Sequence, residues 1–352
     1  MPARAAQTVL LRLITVIVLA LLTACDEPSE SGDDTAVLQG STFGTFYQIT
    51  LPGDWSEEEQ ATLQEGAEQV LDEVDASMST YRDDSEVNRL SRTPPGEWVD
   101  VSEPIFTVLA ISQEVAEATD GAMDVTVGAL VRRWGFGPDQ RPERIPSDDE
   151  LREELAAAGH TGLELDTERL AARRQAGFEL DVAATAKGYG IDAVARFLED
   201  QGVERYLVNI GGDMRAGGRY SDERAWRVGI QQPDGQAHDT TQALSLENMA
   251  IATSGDYRNY FEEDGQRYSH LIDPRTGRPI EHQLASATVL HPVAARADAF
   301  ATGLMVLGAE DAMAVAEAEG LKVLLIVRDG DGFMTRKSPA LSAYLEDTAT
   351  DQ

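Results

Sequence analysis

Cysteine is almost absent: the 352 residues hold one, Cys25, so no disulfide can form within the chain. Histidine is scarce as well, at five, and no two stand at the spacing of zinc ligands, which argues against a zinc hydrolase. No G-x-S-x-G elbow presents a nucleophilic serine. Basic residues are outnumbered, 29 Lys and Arg against 62 Asp and Glu, leaving a formal charge of −33. Nucleic-acid binding needs basic residues to replace phosphate counterions, and attraction to anionic lipid heads needs a polybasic patch. Neither fits this chain; the excess acid reads as a heavily solvated surface. With 42% hydrophobic and 26% charged residues the composition is otherwise that of a globular protein, long enough for one large domain or two closely packed ones.

Long apolar runs are missing except at the start. Arg4 and Arg12 precede the run Leu13 to Leu22, which ends in Leu22-Thr23-Ala24-Cys25. A positive segment, a short apolar segment and small residues before a cut site predict a secretory signal over 1–24. The run is too short for a comfortable membrane-spanning helix. Its last four residues resemble a bacterial lipobox, which implies lipidation (palmitate among the acyl chains) of Cys25 as the new N-terminus. An ordinary secreted protein with an incidental cysteine is the alternative. Lipid chains would hold the protein on a membrane without spanning it. Asp26 after the cysteine points to the inner membrane, periplasmic side. Residues 25–36 read as an acidic, flexible tether, 37–345 as the folded body, and 346–352 as a disordered tail.

Within the body, Phe43 to Leu51 alternates like a strand, and Trp55 to Ser79 has helical periodicity. Glu103 to Thr119 predicts a second helix, Gly121 to Gly137 a constrained loop, and Asp148 to Ala158 a short helix. From Leu163 short strands dominate, including Phe178 to Asp181, with a helix over Thr185 to Gln201. Helices Ala294 to Val306 and Ala309 to Glu319 precede a last hairpin. Sequence-adjacent strands joined by tight glycine turns favour antiparallel pairing, so the class is α+β, a mostly antiparallel sheet covered by helices.

Several segments carry more glycine, threonine and lone charge than packing requires. Leu180-Asp181-Val182-Ala183-Ala184-Thr185-Ala186-Lys187-Gly188 runs from a strand end into a helix start, where free N–H groups suit phosphate or polar ring edges. Asp124 lies between glycines in an apolar setting. Asp298 and Thr302 stand four apart, so on a helix their oxygens share a face and offer a hard-cation site. The alternative is an Asp capping its own helix while Thr bonds one turn back. His270, at a strand end beside an Asp-Pro turn, is the best general-base candidate, because imidazole titrates near working pH.

The ordered set Thr42-Phe43-Gly44-Thr45, Tyr81 with Asp84-Ser85-Glu86, Gly121 to Gly137, Asp181 to Gly188, Asn209 to Asp213, Thr253 to Tyr260, Ser269 to Gly277 and Ala297 to Thr302 resembles the ApbE family, over roughly Gly40 to Leu341. The resemblance implies two closely packed lobes of an α+β fold with the FAD site between them. It also implies a magnesium-dependent transfer of FMN from FAD to a Thr or Ser hydroxyl of an extracytoplasmic protein, with release of AMP. By position it assigns cofactor contacts to Phe43, Tyr81, Ala122, Met123, Asp124, Asp181, Lys187 and Ile272. Magnesium falls to the Ala184 carbonyl, Asp298 and Thr302, and catalysis to His270, with Asp298 able to share the base role through a water. Phe43 stands where relatives often carry methionine, and Ala301 where some carry a second aspartate, a place this chain would leave to water. The implied acceptors are subunits of Na+-translocating NADH:quinone reductases or Rnf-type complexes. The competing readings are a magnesium-dependent FAD pyrophosphatase and a non-catalytic flavin-binding lipoprotein.

Overall fold

The computed structural model describes residues 35–138, 144–233, 240–257, 259–263, 265–330 and 332–349. Cys25, the signal and most of the tether lie outside the described residues. The strands are β1 (Thr35–Thr42), β2 (Thr45–Pro52), β3 (Trp98–Asp100), β4 (Leu163–Asp166), β5 (Ala171–Arg174), β6 (Tyr206–Ile210), β7 (Asp213–Gly217), β8 (Trp226–Gln231) and β9 (Thr240–Leu246). They continue with β10 (Met249–Gly255), β11 (Tyr260–Glu263), β12 (Gln266–Ser269), β13 (Ile272–Asp273), β14 (Arg278–Pro279), β15 (Leu284–His291), β16 (Lys322–Asp329) and β17 (Gly332–Lys337). The α-helices are α1 (Glu57–Met78), α2 (Glu86–Arg92), α3 (Glu103–Ala118), α4 (Gly128–Arg133), α5 (Asp148–Ala157), α6 (Ala183–Asp200), α7 (Ala294–Leu307), α8 (Ala309–Ala318) and α9 (Pro339–Ala349).

Eight strands form one sheet in the order β1-β2-β6-β7-β10-β15-β16-β17, every neighbour antiparallel, so the fold is α+β as expected. Side chains alternate across a strand, and this alternation builds two layers. Ala252, Val289, Val323 and Leu325 face a core shared with α3 and α7. Ile251, Leu290, Leu324 and Ile326 face the opposite way, under the β8–β9 ribbon and α9. Helices α6 and α7 pack on each other and on the first face, and α1 packs on α6.

Local chemistry explains the element ends. Helix α1 begins with a capping box: Ser56 Oγ accepts from Glu59 N, and the Glu59 carboxylate accepts from Ser56 N at 2.9 Å. The buried carboxylate of Asp192, on α6, caps α7 from outside, accepting from Ala294 N and Ala295 N at 3.0 Å each. Arg215 Nη1 of β7 donates to the same carboxylate at 2.6 Å. This three-way lock sets the register of α6 against α7, the two helices that carry the site. Replacing Asp192 with alanine should lower unfolding free energy by about 3 kcal/mol, since it strips two helix N–H groups of their acceptor and leaves Arg215 with the longer Glu199 contact at 3.5 Å. Urea unfolding checks this, and an unchanged midpoint would refute the lock.

Five expectations need correction. Phe43 does not open a strand: Thr42 pairs with Thr45, and Phe43 (φ 51°) with Gly44 (φ 73°) forms the two-residue turn of the β1–β2 hairpin. Residues expected in the tether, Thr35 and Ala36, start β1. Gly121 to Gly137 is not all loop, because Asp124 Oδ1 accepts from Thr126 N at 2.8 Å and opens a helical turn that continues into α4. Phe178 to Asp181 is buried but not a strand: Leu180 N donates to Ser91 Oγ and Asp181 N to Val125 O, at 2.9 and 2.8 Å. The tail expected from 346 is still helix α9 through 349.

Candidate active site

A cavity of about 360 Å³ opens between the α6 and α7 starts, the loop before α4, and the β12–β13 corner. It is lined by Tyr81, Ala122, Met123, Asp124, Asp181, Ala184, Lys187, His270, Ile272, Asp298 and Thr302. Every expected contact except Phe43 therefore meets in one place. Phe43 lines an adjoining cavity of about 880 Å³ that shares Tyr81, Asp181, Lys187 and Asn259 with the first. Its ring also lies against Gly190 of α6, where a Cβ would stand 2.7 Å from it. Tyr81, which lines both cavities, is 70% exposed, so its ring is available to pack against a flat ligand.

Asp298 is buried at 3% exposure, one turn into α7. Its Oδ2 accepts from Gly188 N of α6 at 2.9 Å, and Lys187 Nζ stands 3.8 Å from Oδ1. It does not cap its own helix. Thr302 Oγ1 lies 3.1 Å from Ser254 Oγ of β10. The close approach depends on Gly188, where a Cβ would sit 2.4 Å from the Ala294 carbonyl. Burial, with a smaller push from Asp213, raises the Asp298 carboxyl to about 7 against the opposing pull of Lys187 and the Gly188 N–H. Burial likewise raises Asp124 and Asp181 and lowers the His270 imidazole. Three acids that burial holds toward neutrality line one cavity, and a bound cation would favour their charged forms.

Sequence reasoning gave no role to Asp213. It is 1% exposed, its Oδ1 accepts from Thr253 N at 3.0 Å, and its Oδ2 stands 2.6 Å from Lys187 Nζ. The signal was an acid directly after two glycines at a strand start, Gly211-Gly212-Asp213. Asp213 holds the lysine in the cavity wall, between itself and Asp298.

The sequence profile of the ApbE family matches residues 43–325. The chain belongs to the ApbE family. It is 42% identical over 333 residues to an FAD:protein FMN transferase of Vibrio cholerae serotype O1, covering 95% of this chain and 98% of the relative. Against an FAD:protein FMN transferase of Escherichia coli K12 the identity is 40% over 315 residues, 89% of this chain and 90% of that one. Among solved structures, the flavin transferase ApbE from Vibrio cholerae superposes with a TM-score of 0.81 at 40% identity, covering 88% of this chain and 99% of its own. The apo form of the Pseudomonas stutzeri flavinyl transferase ApbE gives a TM-score of 0.81 at 36% identity, covering 89% and 97%.

Within this ApbE chain the donor set suits a hard cation. Asp298, with a buried carboxylate, Thr302, with a hydroxyl, and Ala184, whose main-chain carbonyl could serve as a third donor, line one cavity. Among the described residues no group of three or more His, Cys, Asp or Glu could hold a metal. Few protein oxygens, with the rest from water and phosphate, is the habit of magnesium rather than of a closed structural site.

Proposed function

We propose that this chain is an FAD:protein FMN transferase that places FMN on a Thr or Ser hydroxyl of an extracytoplasmic protein and releases AMP. The observation carrying this reading is that Lys187, His270, Ala184, Asp298 and Thr302 line one cavity, in a chain about 40% identical to transferases of that name. In the step proposed, the acceptor oxygen bonds to the FMN phosphorus while the bond from that phosphorus to the bridging oxygen breaks. AMP leaves with the electron pair. His270 takes the hydroxyl proton and returns it to solvent. Lys187 stabilises charge on the departing phosphate from a position that Asp213 fixes. Magnesium held by Asp298, Thr302 and the Ala184 carbonyl would neutralise the diphosphate and improve the leaving group.

The acceptors that fit are flavin-carrying subunits of Na+-translocating NADH:quinone reductases or Rnf-type complexes, met at the periplasmic side of the inner membrane by a body anchored through lipidated Cys25. The family resemblance and the Leu22-to-Cys25 motif support that placement. Incubation of the protein with FAD, magnesium and such an acceptor domain is the test. An FMN-sized mass gain on the acceptor is expected; free FMN and AMP alone would replace the reading with a pyrophosphatase, and neither product with a flavin-storing protein.

A further inference from the structure

From behind the cavity wall to its lining at Phe136, four aromatic rings run without a break from the end of α4 to His270. Trp134 stacks on Tyr268 with centroids 5.6 Å apart, Tyr268 on Phe261 at 5.1 Å, and Phe261 on Phe136 at 5.5 Å. Phe136 then meets the His270 imidazole edge-on at 6.2 Å. Phe261 and Tyr268 are cross-strand partners in the β11–β12 hairpin, so Trp134 and Phe136, two residues apart, grip the hairpin from both ends. A hairpin of such short strands is marginal in water without packing of this kind. Trp134 is itself fixed, buried and donating Nε1–H to the Gly277 carbonyl at 2.8 Å.

The hairpin decides how His270 is held. Asn259 precedes β11 and His270 follows β12. The Asn259 carbonyl accepts from His270 N at 3.1 Å and lies 2.9 Å from Nδ1. A carbonyl only accepts, so Nδ1 carries the proton and the lone pair of the neutral ring belongs to Nε2. We infer that Phe261 is a positioning residue for His270: its stack on Tyr268 and Phe136 holds the hairpin so that the Asn259 carbonyl keeps the proton on Nδ1 and Nε2 remains the base. This rests on the reading above, in which His270 deprotonates the acceptor hydroxyl. Phe261 itself does not line the cavity; it acts through the histidine.

The charged groups around the ring are Lys187 from α6 and Asp256 from the end of β10. Asp256 is engaged by Arg328 of β16, and its carbonyl by Arg267 of β12, both at 2.6 Å. These contacts do not involve Phe261, so loosening the stack should act on His270 through hydration and orientation.

The test is nitrogen-15 NMR of the full chain in detergent, labelled at histidine, with the His270 signals assigned by their loss in His270→Ala. The wild type should show the Nδ1–H form and a midpoint below the ordinary 6.5. In Phe261→Leu the midpoint should rise toward 6.5 and the two tautomers mix, with kcat falling on the order of tenfold and KM for FAD unchanged. Phe261→Tyr, which keeps the stack, should restore both. An Nε2–H form in the wild type overturns the inference. So does a Phe261→Leu enzyme whose kcat falls while the midpoint stays. If Phe261→Leu does not fold, Tyr268→Leu breaks the same stack and is read the same way. If the wild type gives no transfer yet shows these NMR signatures, the transferase reading fails and the positioning stands.

Discussion

Asp298→Ala is expected to lower FMN transfer by about a hundredfold or more at any magnesium concentration, with the fold intact. The size follows from losing the one buried carboxylate in the proposed cation site, an electrostatic element aimed at the reacting phosphates. The fold should survive because the substitution relieves as much as it removes: Gly188 N loses an acceptor, but a buried charge and its repulsion with Asp213 vanish. Asp298→Asn, which keeps the shape, should be impaired as badly. Full turnover in either variant would remove Asp298 from the site. The raised carboxyl adds a pH signature. Without cation, the folded protein holds its proton up to about 7, whereas an ordinary aspartate releases it near 3.8. The native state therefore binds the extra proton across that window, and the metal-free protein loses stability as pH rises through it. Magnesium should thus raise the melting temperature more at pH 7.5 than at pH 5.5, and its apparent affinity should fall as pH drops below about 7. A magnesium effect independent of pH would place the ion elsewhere.

What could be read in the sequence, and what could not, divides by the range of the interactions. The α1 start was visible because Ser56 and Glu59 signal each other across three residues, and the α7 pair because four-residue spacing fixes a shared face. Strand order within hairpins followed from short glycine turns. Phe43 misled because a phenylalanine rarely adopts positive φ; only the pairing of Thr42 with Thr45 forces it. Phe178 and Leu180 alternate like a strand and are buried like one, yet their partners are a serine and turn backbones far away in sequence. Asp213 meets Lys187 across 26 residues and the end of α6, and no local pattern announces such a pair. The aromatic run joins residues 134 and 136 to 261 and 268, so it exists only once the hairpin is folded against α4. The residues proposed to meet ligand carried local signals; the pairings that hold them in place did not.

His270→Ala should leave FAD binding in place and reduce transfer by roughly a hundredfold to ten-thousandfold, the usual contribution of a positioned general base. Binding should persist because the imidazole is one of many groups lining the cavity and its ring hydrogen bond, to the Asn259 carbonyl, is to the protein itself. Transfer should fail because an alcohol is a poor nucleophile until a base takes its proton. The pH profile separates this role from a structural one. Burial, aided by Lys187, holds the imidazole below its ordinary 6.5, so the neutral form persists as pH falls past the point where a free histidine would protonate. At saturating magnesium the acid limb of kcat/KM in the wild type should therefore lie below 6.5, and the residual rate of His270→Ala should show no such limb. Added imidazole should recover part of the rate, since the space left by the side chain opens into the cavity proposed to hold FAD. A variant that transfers FMN at the wild-type rate, or that loses FAD binding along with transfer, would make the histidine a structural residue and pass the base role to Asp298 acting through a water.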